Sequence, residues 1–140
     1  MTTPEQPQSI GPYEILETLG SGGMGTVYLG RHTETKQEVA VKVLSPSMAQ
    51  EEGLVERFRR EVGALEKLTN VHIVQIYESG ESQGTYYYAM EYVPGETLTE
   101  RLRRERQLGW EEVIEVSVQV CVALKAAHDA GIIHRALEPG

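Results

Sequence analysis

The chain has 140 residues, 40% of them hydrophobic and 24% charged, with a formal net charge of −8. This composition describes a soluble globular chain of one domain, or half of a larger one, and its acidity argues against nucleic acid or an anionic membrane as partner. A single cysteine excludes an internal disulfide and fits a reducing, cytoplasmic setting; the four histidines lack metal-ligand spacing, and neither a signal peptide nor a membrane-spanning apolar run is visible.

Residues 1–12 contain Pro4, Pro7 and Pro12 with few apolar side chains and read as a flexible leader. Residues 13–19 form a predicted strand, a glycine-rich turn follows, and residues 26–32 form a second strand. The polar link Thr33-Glu34-Thr35-Lys36 leads to a third strand at residues 38–44, and three strands with short links predict an antiparallel meander. Alternation within the third strand puts Val39, Val41 and Val43 on one face and Ala40, Lys42 and Leu44 on the other.

Residues 45–50 read as a loop. Leu54, Phe58, Val62, Leu65 and Leu68 then recur at three- and four-residue steps, predicting an amphipathic helix over about residues 51–68. Glu61 falls inside this stripe, where a buried carboxylate needs a cation; the alternative is a stripe-edge glutamate that reaches solvent. Residues 71–79 and 85–93 read as two more strands around a turn at 80–84, ended by Pro94-Gly95. A short charged helix at about 98–106 presents Arg101, Arg103, Arg104 and Arg106 as a solvated face. In residues 110–130 the valines alternate as in a strand, yet the length, the lack of internal Gly or Pro, and Gly131 beyond favour a largely buried helix. Cys121 lies in this apolar run and is expected to be a buried structural thiol.

Two stretches carry chemistry. Gly20, Gly22 and Gly25 form a G-x-G-x-x-G pattern, weak evidence by itself because glycine is common in turns. Here Leu19 precedes it, Val27 stands two residues after the last glycine, and Val39-Ala40-Val41-Lys42 follows. A dinucleotide-binding fold needs its last glycine to open a helix, whereas Thr26-Val27-Tyr28-Leu29 reads as a strand. Glycines let a backbone turn sharply and lie close over phosphates, and a lysine brings a point charge to phosphate oxygens. Ala40 and Lys42 share a strand face, so a small apolar residue for a base neighbours a cation for its phosphates. Alone, Lys42 reads first as a solvated strand lysine; the glycine loop in front of it turns the reading to the phosphate role.

These motifs continue in order with Phe58-Arg59-Arg60-Glu61, Met90-Glu91-Tyr92-Val93-Pro94-Gly95 and His134-Arg135-x-Leu137-x-Pro139. Over about residues 13–139 the chain resembles a serine/threonine protein kinase of the eukaryotic-like bacterial type. The resemblance implies an α+β, protein-kinase-like fold. It comprises a five-stranded antiparallel N-terminal-lobe sheet with one long helix (residues 13–93), then the hinge and the first two helices of an incomplete C-terminal lobe (94–140). It implies ATP as the bound cofactor. Gly20, Ser21, Gly22, Gly23, Met24 and Gly25 would cover the phosphates, and Leu19, Val27 and Ala40 would line the adenine. Lys42 would hold the α- and β-phosphates and pair with Glu61, nineteen residues later. Met90 would back the pocket, and Glu91 and Val93 would offer backbone groups at the hinge. Leu65, Ile76 and His134 would stack in the column that links the lobes.

The resemblance breaks at the catalytic loop. The family pattern is H-R-D-L-K-P-x-x-N, and here Ala136 and Glu138 replace the aspartate and the lysine. Alanine cannot accept or orient the hydroxyl proton, a loss of about 10²–10⁴ in rate, and Glu138 would repel the transferring phosphoryl group. The family's metal ligands, an asparagine and the D-F-G aspartate, have no counterpart before Gly140. The expectation is a kinase-family chain that binds ATP and does not transfer phosphate as written. The competing expectations are a pseudokinase module that holds ATP or docks on a full-length kinase, and a non-functional remnant; the partners expected beside ATP are a full-length kinase or a protein substrate. Residues 13–93 are expected to fold, and the C-terminal third to be molten, self-associating or partner-dependent.

Overall fold

The computed structural model of the chain describes residues 6–22 and 25–132. They fall into two compact units: one built from the chain up to Lys67 with Val74–Tyr92, the other from Leu68–Ile73 with the chain from Val93 onward.

The first unit is an antiparallel sheet of β1 (Ser9–Ile10), β2 (Tyr13–Gly22), β3 (Gly25–His32), β4 (Glu38–Leu44), β5 (Ile76–Ser82) and β6 (Thr85–Glu91), in the order β1-β2-β3-β4-β6-β5. Helices α1 (Pro46–Ala49) and α2 (Leu54–Glu66) lie between β4 and β5 in the chain. The valine alternation of β4 sets the two faces. Val39 and Val41 are buried with Ile10, Tyr13, Ile15, Tyr87 and Ala89, and Tyr28 and Val43 pack against them. Burying one such side chain is worth about 1.5–3 kcal/mol, so this face holds the unit together. On it the Tyr13 hydroxyl donates to Glu78 Oε1 at 2.5 Å, tying β2 to β5, strands that are not neighbours in the sheet. Burial first, then the hydrogen bond and the charge of Glu78, push the Tyr13 phenol well above its ordinary range.

Several expectations are corrected. The sheet has six strands, not five, because Ser9–Ile10 inside the expected leader pairs with Tyr13 and Glu14. Gly11, at φ +55°, makes that reversal, and a Cβ there would strike the Tyr87 hydroxyl. The glycine stretch is mostly strand: the β2–β3 ladder runs out to Gly22 opposite Gly25. Gly25 has φ +147°, and a Cβ on it would collide with the Val43 carbonyl, whereas one on Gly20 would meet open space. The loop expected at 45–50 contains α1, with Pro46 opening it, and α2 begins only after Gly53, at φ +78°. The strand expected at 71–79 is displaced to Ile76–Ser82. Gln83 and Gly84, both at positive φ, then form the two-residue hairpin that matches strand twist.

The second unit holds α3 (Leu98–Glu105) and α4 (Trp110–Asp129). Thr97 and Glu100 close a reciprocal capping box on α3. Of the expected solvated arginines, Arg104 pairs with Glu96, and Arg101 pairs with Glu105 and with Glu112 of α4. The long apolar segment is a helix, as its length required, but Cys121 is exposed on it. Apolar side chains lie on more than one side of this helix, and Cys121 falls away from its buried and half-buried residues Val116, Val120 and Ala127. No helix among the described residues is long and apolar enough to cross a membrane.

Two outcomes follow. Tyr13→Phe should destabilise the chain by about 1–2 kcal/mol in denaturant unfolding. Because the folded-state pKa is raised, the contribution is whole below pH of about 10 and is lost as pH rises beyond it, when the unfolded chain ionises first. The variant should therefore lose stability less steeply above that pH. Gly25→Ala should cost about 2 kcal/mol or more in the same measurement, while Gly20→Ala stays within about 0.5 kcal/mol.

Candidate nucleotide-binding site

The ladders of the first unit gather most of the sequence-predicted residues on the sheet face opposite the core. Val27 lies opposite Lys42, and Leu29 opposite Ala40. On its other side β4 sets Lys42 opposite Tyr88 and Ala40 opposite Met90. Directly opposite residues of antiparallel strands project to the same face. Val27, Leu29, Ala40, Lys42, Tyr88 and Met90 therefore form one surface, with Ala40 buried and Lys42 half-buried among them. Gly20 lies opposite Val27, so the glycine hairpin extends the edge of this surface.

The hairpin is placed by the β2–β3 ladder, which shifts register between Ile15 and Glu17 and again between Thr18 and Gly20. Such bulges bend a strand and increase its twist. Leu19, Gly20 and Ser21 are exposed on it. Gly23 and Met24, and the residues from 133 on, including His134, Ala136 and Glu138, lie outside the described residues. Glu91 is exposed at the end of β6, its N–H donating to the Gln75 carbonyl at 2.8 Å. Val93 belongs to the second unit, 61% exposed.

Glu61 is not brought to Lys42. It stands on α2 with its side chain 58% exposed, and its carboxylate accepts from Arg57 Nε at 3.0 Å, one helical turn away. Among the described residues no ion pair reaches Lys42. In this structure Glu61 stands at the edge of the stripe, where Arg57 at i−4 supplies a cation without any burial. What fixes α2 against this face is Phe58, whose ring lies 5.7 Å from that of Tyr88, and Val62, buried one turn on. Leu65 is half-buried, and Ile76, opposite Met90, is buried.

Tyr88 and Leu29 are members of the surface that the motifs did not name. Burial raises the Tyr88 phenol above its ordinary range, so it stays neutral beside Lys42 at neutral pH. Alternation outward from Met90 along β6 was the signal that could have found Tyr88. Chemically the surface offers an apolar floor, one cation and a glycine-backed edge of backbone, a set suited to a flat base with an attached anion.

The family model described as "Protein kinase domain" matches residues 13–140. The chain is 38% identical over 129 residues to the serine/threonine-protein kinase PrkC of Bacillus subtilis, covering 92% of this chain and 20% of that protein. It is 37% identical over 143 residues to the serine/threonine-protein kinase PknB of Mycobacterium leprae, covering 99% and 23%. The Mycobacterium tuberculosis PknI kinase domain superposes with a TM-score of 0.83 at 34% identity, over 94% of this chain and 54% of that one. The chain thus spans about a fifth of these two kinases and about half of that solved kinase domain. On the family match and the fold together, this chain belongs to the protein kinase domain family, as a piece of the bacterial serine/threonine type.

Proposed function

We propose that the chain binds ATP on the Lys42 face of its sheet and, as written here, does not transfer the phosphate. The observation that carries this reading is the register that lines Val27, Ala40, Lys42 and Met90 along one face beside Gly20. The family as a whole uses ATP with Mg²⁺, which supplies the transferable phosphoryl group and the charge that screens it.

The residues fit that group. Ala40 presents a methyl where a larger side chain would fill the floor, and Val27 and Met90 flank it, so a planar base can lie against the sheet. Lys42 is two residues along the same face, at the distance at which a cation neutralises phosphates while the base stays on apolar ground. Gly25 has no side chain because the Val43 carbonyl occupies its place, and this pins the hairpin to β4 just beyond Lys42. Glu61 would have to leave Arg57 to orient Lys42; an exposed pair of that kind holds by only about 0.3–0.5 kcal/mol.

Transfer is a separate matter. The position of the hydroxyl-activating aspartate is Ala136, which has no lone pair with which to accept a proton. Nucleotide affinity and phosphoryl transfer are therefore uncoupled in this sequence, the reading of a pseudokinase-type module.

The test is a thermal melt of the purified chain with and without Mg-ATP, beside Lys42→Met. Nucleotide at about a hundred times its Kd should stabilise the parent by about 2.7 kcal/mol and leave Lys42→Met where it melts alone. In parallel, transfer of labelled phosphate to a generic protein acceptor should stay at background. A cooperative parent melt indifferent to nucleotide, or transfer abolished by Lys42→Met, would overturn the reading.

A further inference from the structure

The glycine hairpin is carried by two strands that are held unequally. β3 is paired with β4 from Arg31 opposite Glu38 to Gly25 opposite Leu44, and the Val43 carbonyl fills the space beside Gly25. β2 has no such backing at its glycine end. Leu19, Gly20 and Ser21 are exposed, and a Cβ on Gly20 would meet open space, so side-chain packing does little to place them. Their position is set through the two edges of β2, and the ladder to β3 on one edge is interrupted twice. It passes from Ile15 opposite Gly30 to Glu17 opposite Leu29, and from Thr18 opposite Tyr28 to Gly20 opposite Val27, skipping Leu16 and Leu19. Each skipped residue adds bend and twist to the strand.

The other edge of β2 is met by the leader. Ser9 and Ile10 pair with Glu14 and Tyr13. Beyond that pair the Ile15 N–H donates to the Gln8 carbonyl at 3.0 Å, and the Thr18 hydroxyl donates to Gln6 Oε1 at 3.3 Å. Ile15 and Thr18 are the residues immediately before the skipped Leu16 and Leu19. The leader therefore holds β2 at the start of both bulges, and its last contact lies two residues short of Gly20. One end of the leader is firm: Ile10 is buried in the core, and Gly11 reverses the chain against the Tyr87 hydroxyl. The other end is light: Gln6, Gln8 and Ser9 are exposed, and Pro7 has no N–H with which to pair. Such an element opens locally without unfolding the sheet behind it.

We propose that residues 6–10 are a strap that positions the glycine hairpin. Docked, it holds the two bulges of β2 and so sets where Leu19 and Gly20 stand beside the Lys42 face; released, it lets them drift. Its consequence for ligand rests on the proposed binding of ATP at that face: the docked strap pre-organises the hairpin and raises nucleotide affinity. The strap residues act through β2, as positioning residues.

The test compares the 140-residue chain with a variant lacking residues 2–8, which keeps Ile10 and Gly11, and with Gln6→Ala in the full chain. Amide hydrogen exchange without nucleotide should quicken about tenfold at residues 16–21 in the deletion, and less in Gln6→Ala, while Val41 and Ala89 keep their protection. Mg-ATP, titrated by calorimetry, should bind the deletion about three- to tenfold more weakly, the factor by which the competent hairpin becomes rarer. Unchanged exchange at residues 16–21 overturns the strap. Faster exchange with an unchanged Kd overturns its effect on nucleotide. Protection lost at Val41 and Ala89 as well overturns it too, by making the leader part of the core. If the parent chain binds no Mg-ATP, the nucleotide reading falls, and the exchange at residues 16–21 decides the strap by itself.

Discussion

The register of β3, β4 and β6 is the constraint on which the molecule rests. Strand side chains alternate with a period of two, so a slip of one residue would exchange the faces. Val39 and Val41 would then lie beside the Lys42 surface, and Lys42 would enter the core that now leaves Val41 fully buried. The hydrophobic and the chemical roles of Val39-Ala40-Val41-Lys42 are one pattern read from two sides. That is why the Lys42 surface needs no structure of its own: it is the back of the core.

The edges of that surface are set by backbone geometry more than by side chains. The Val43 carbonyl leaves no room for a Cβ at Gly25, and positive φ there suits glycine. At the other end of the unit, Gly11 yields space to the Tyr87 hydroxyl, and the same hydroxyl lies under Gly80, where a Cβ would approach it to 2.9 Å. Tyr87 therefore gathers β1 and β5 around one phenol, while Tyr13 ties β2 to Glu78. Helix α2 is held to β5 and β6 by the Phe58–Tyr88 contact, by Arg59 paired with Glu81 and lying over the Tyr86 ring, and by the Ser79 hydroxyl donating to Glu66. Glu61 pairs with Arg57.

What was legible in the sequence was whatever a period could encode. Alternation gave β4 and its two faces, and the three- and four-residue steps gave α2. The glycine spacing together with Lys42 marks a candidate surface, and its order with Met90-Glu91 points to the family. The departures have local causes. β1 is two residues long, too short for any period, and it forms only because Gly11 can reverse the chain. Residues 71–75 fall inside an expected strand, but pairing with β6 begins at Ile76 opposite Met90. The family resemblance implies a Lys42–Glu61 pair, and it carries no information on Arg57, the cation one helical turn from Glu61. Cys121 was judged buried because its neighbours are apolar; a stretch that is apolar on more than one side cannot say which of its faces is packed.

That last ambiguity separates the two units. The sheet closes its own core: Val39, Val41 and Ala89 are at 1%, 0% and 0% exposure, supplied from strands that pair with one another. In α4 only Ala127 is buried, although the helix carries seven valine, isoleucine and leucine side chains along its length. Exposure of each costs about 1.5–3 kcal/mol relative to burial, and a small domain has only about 5–15 kcal/mol in all. The sheet unit therefore needs no further cover on its core face, whereas α4 gains stability from anything that dries its outer stripe. In a kinase domain about twice this length, further chain is available to do so.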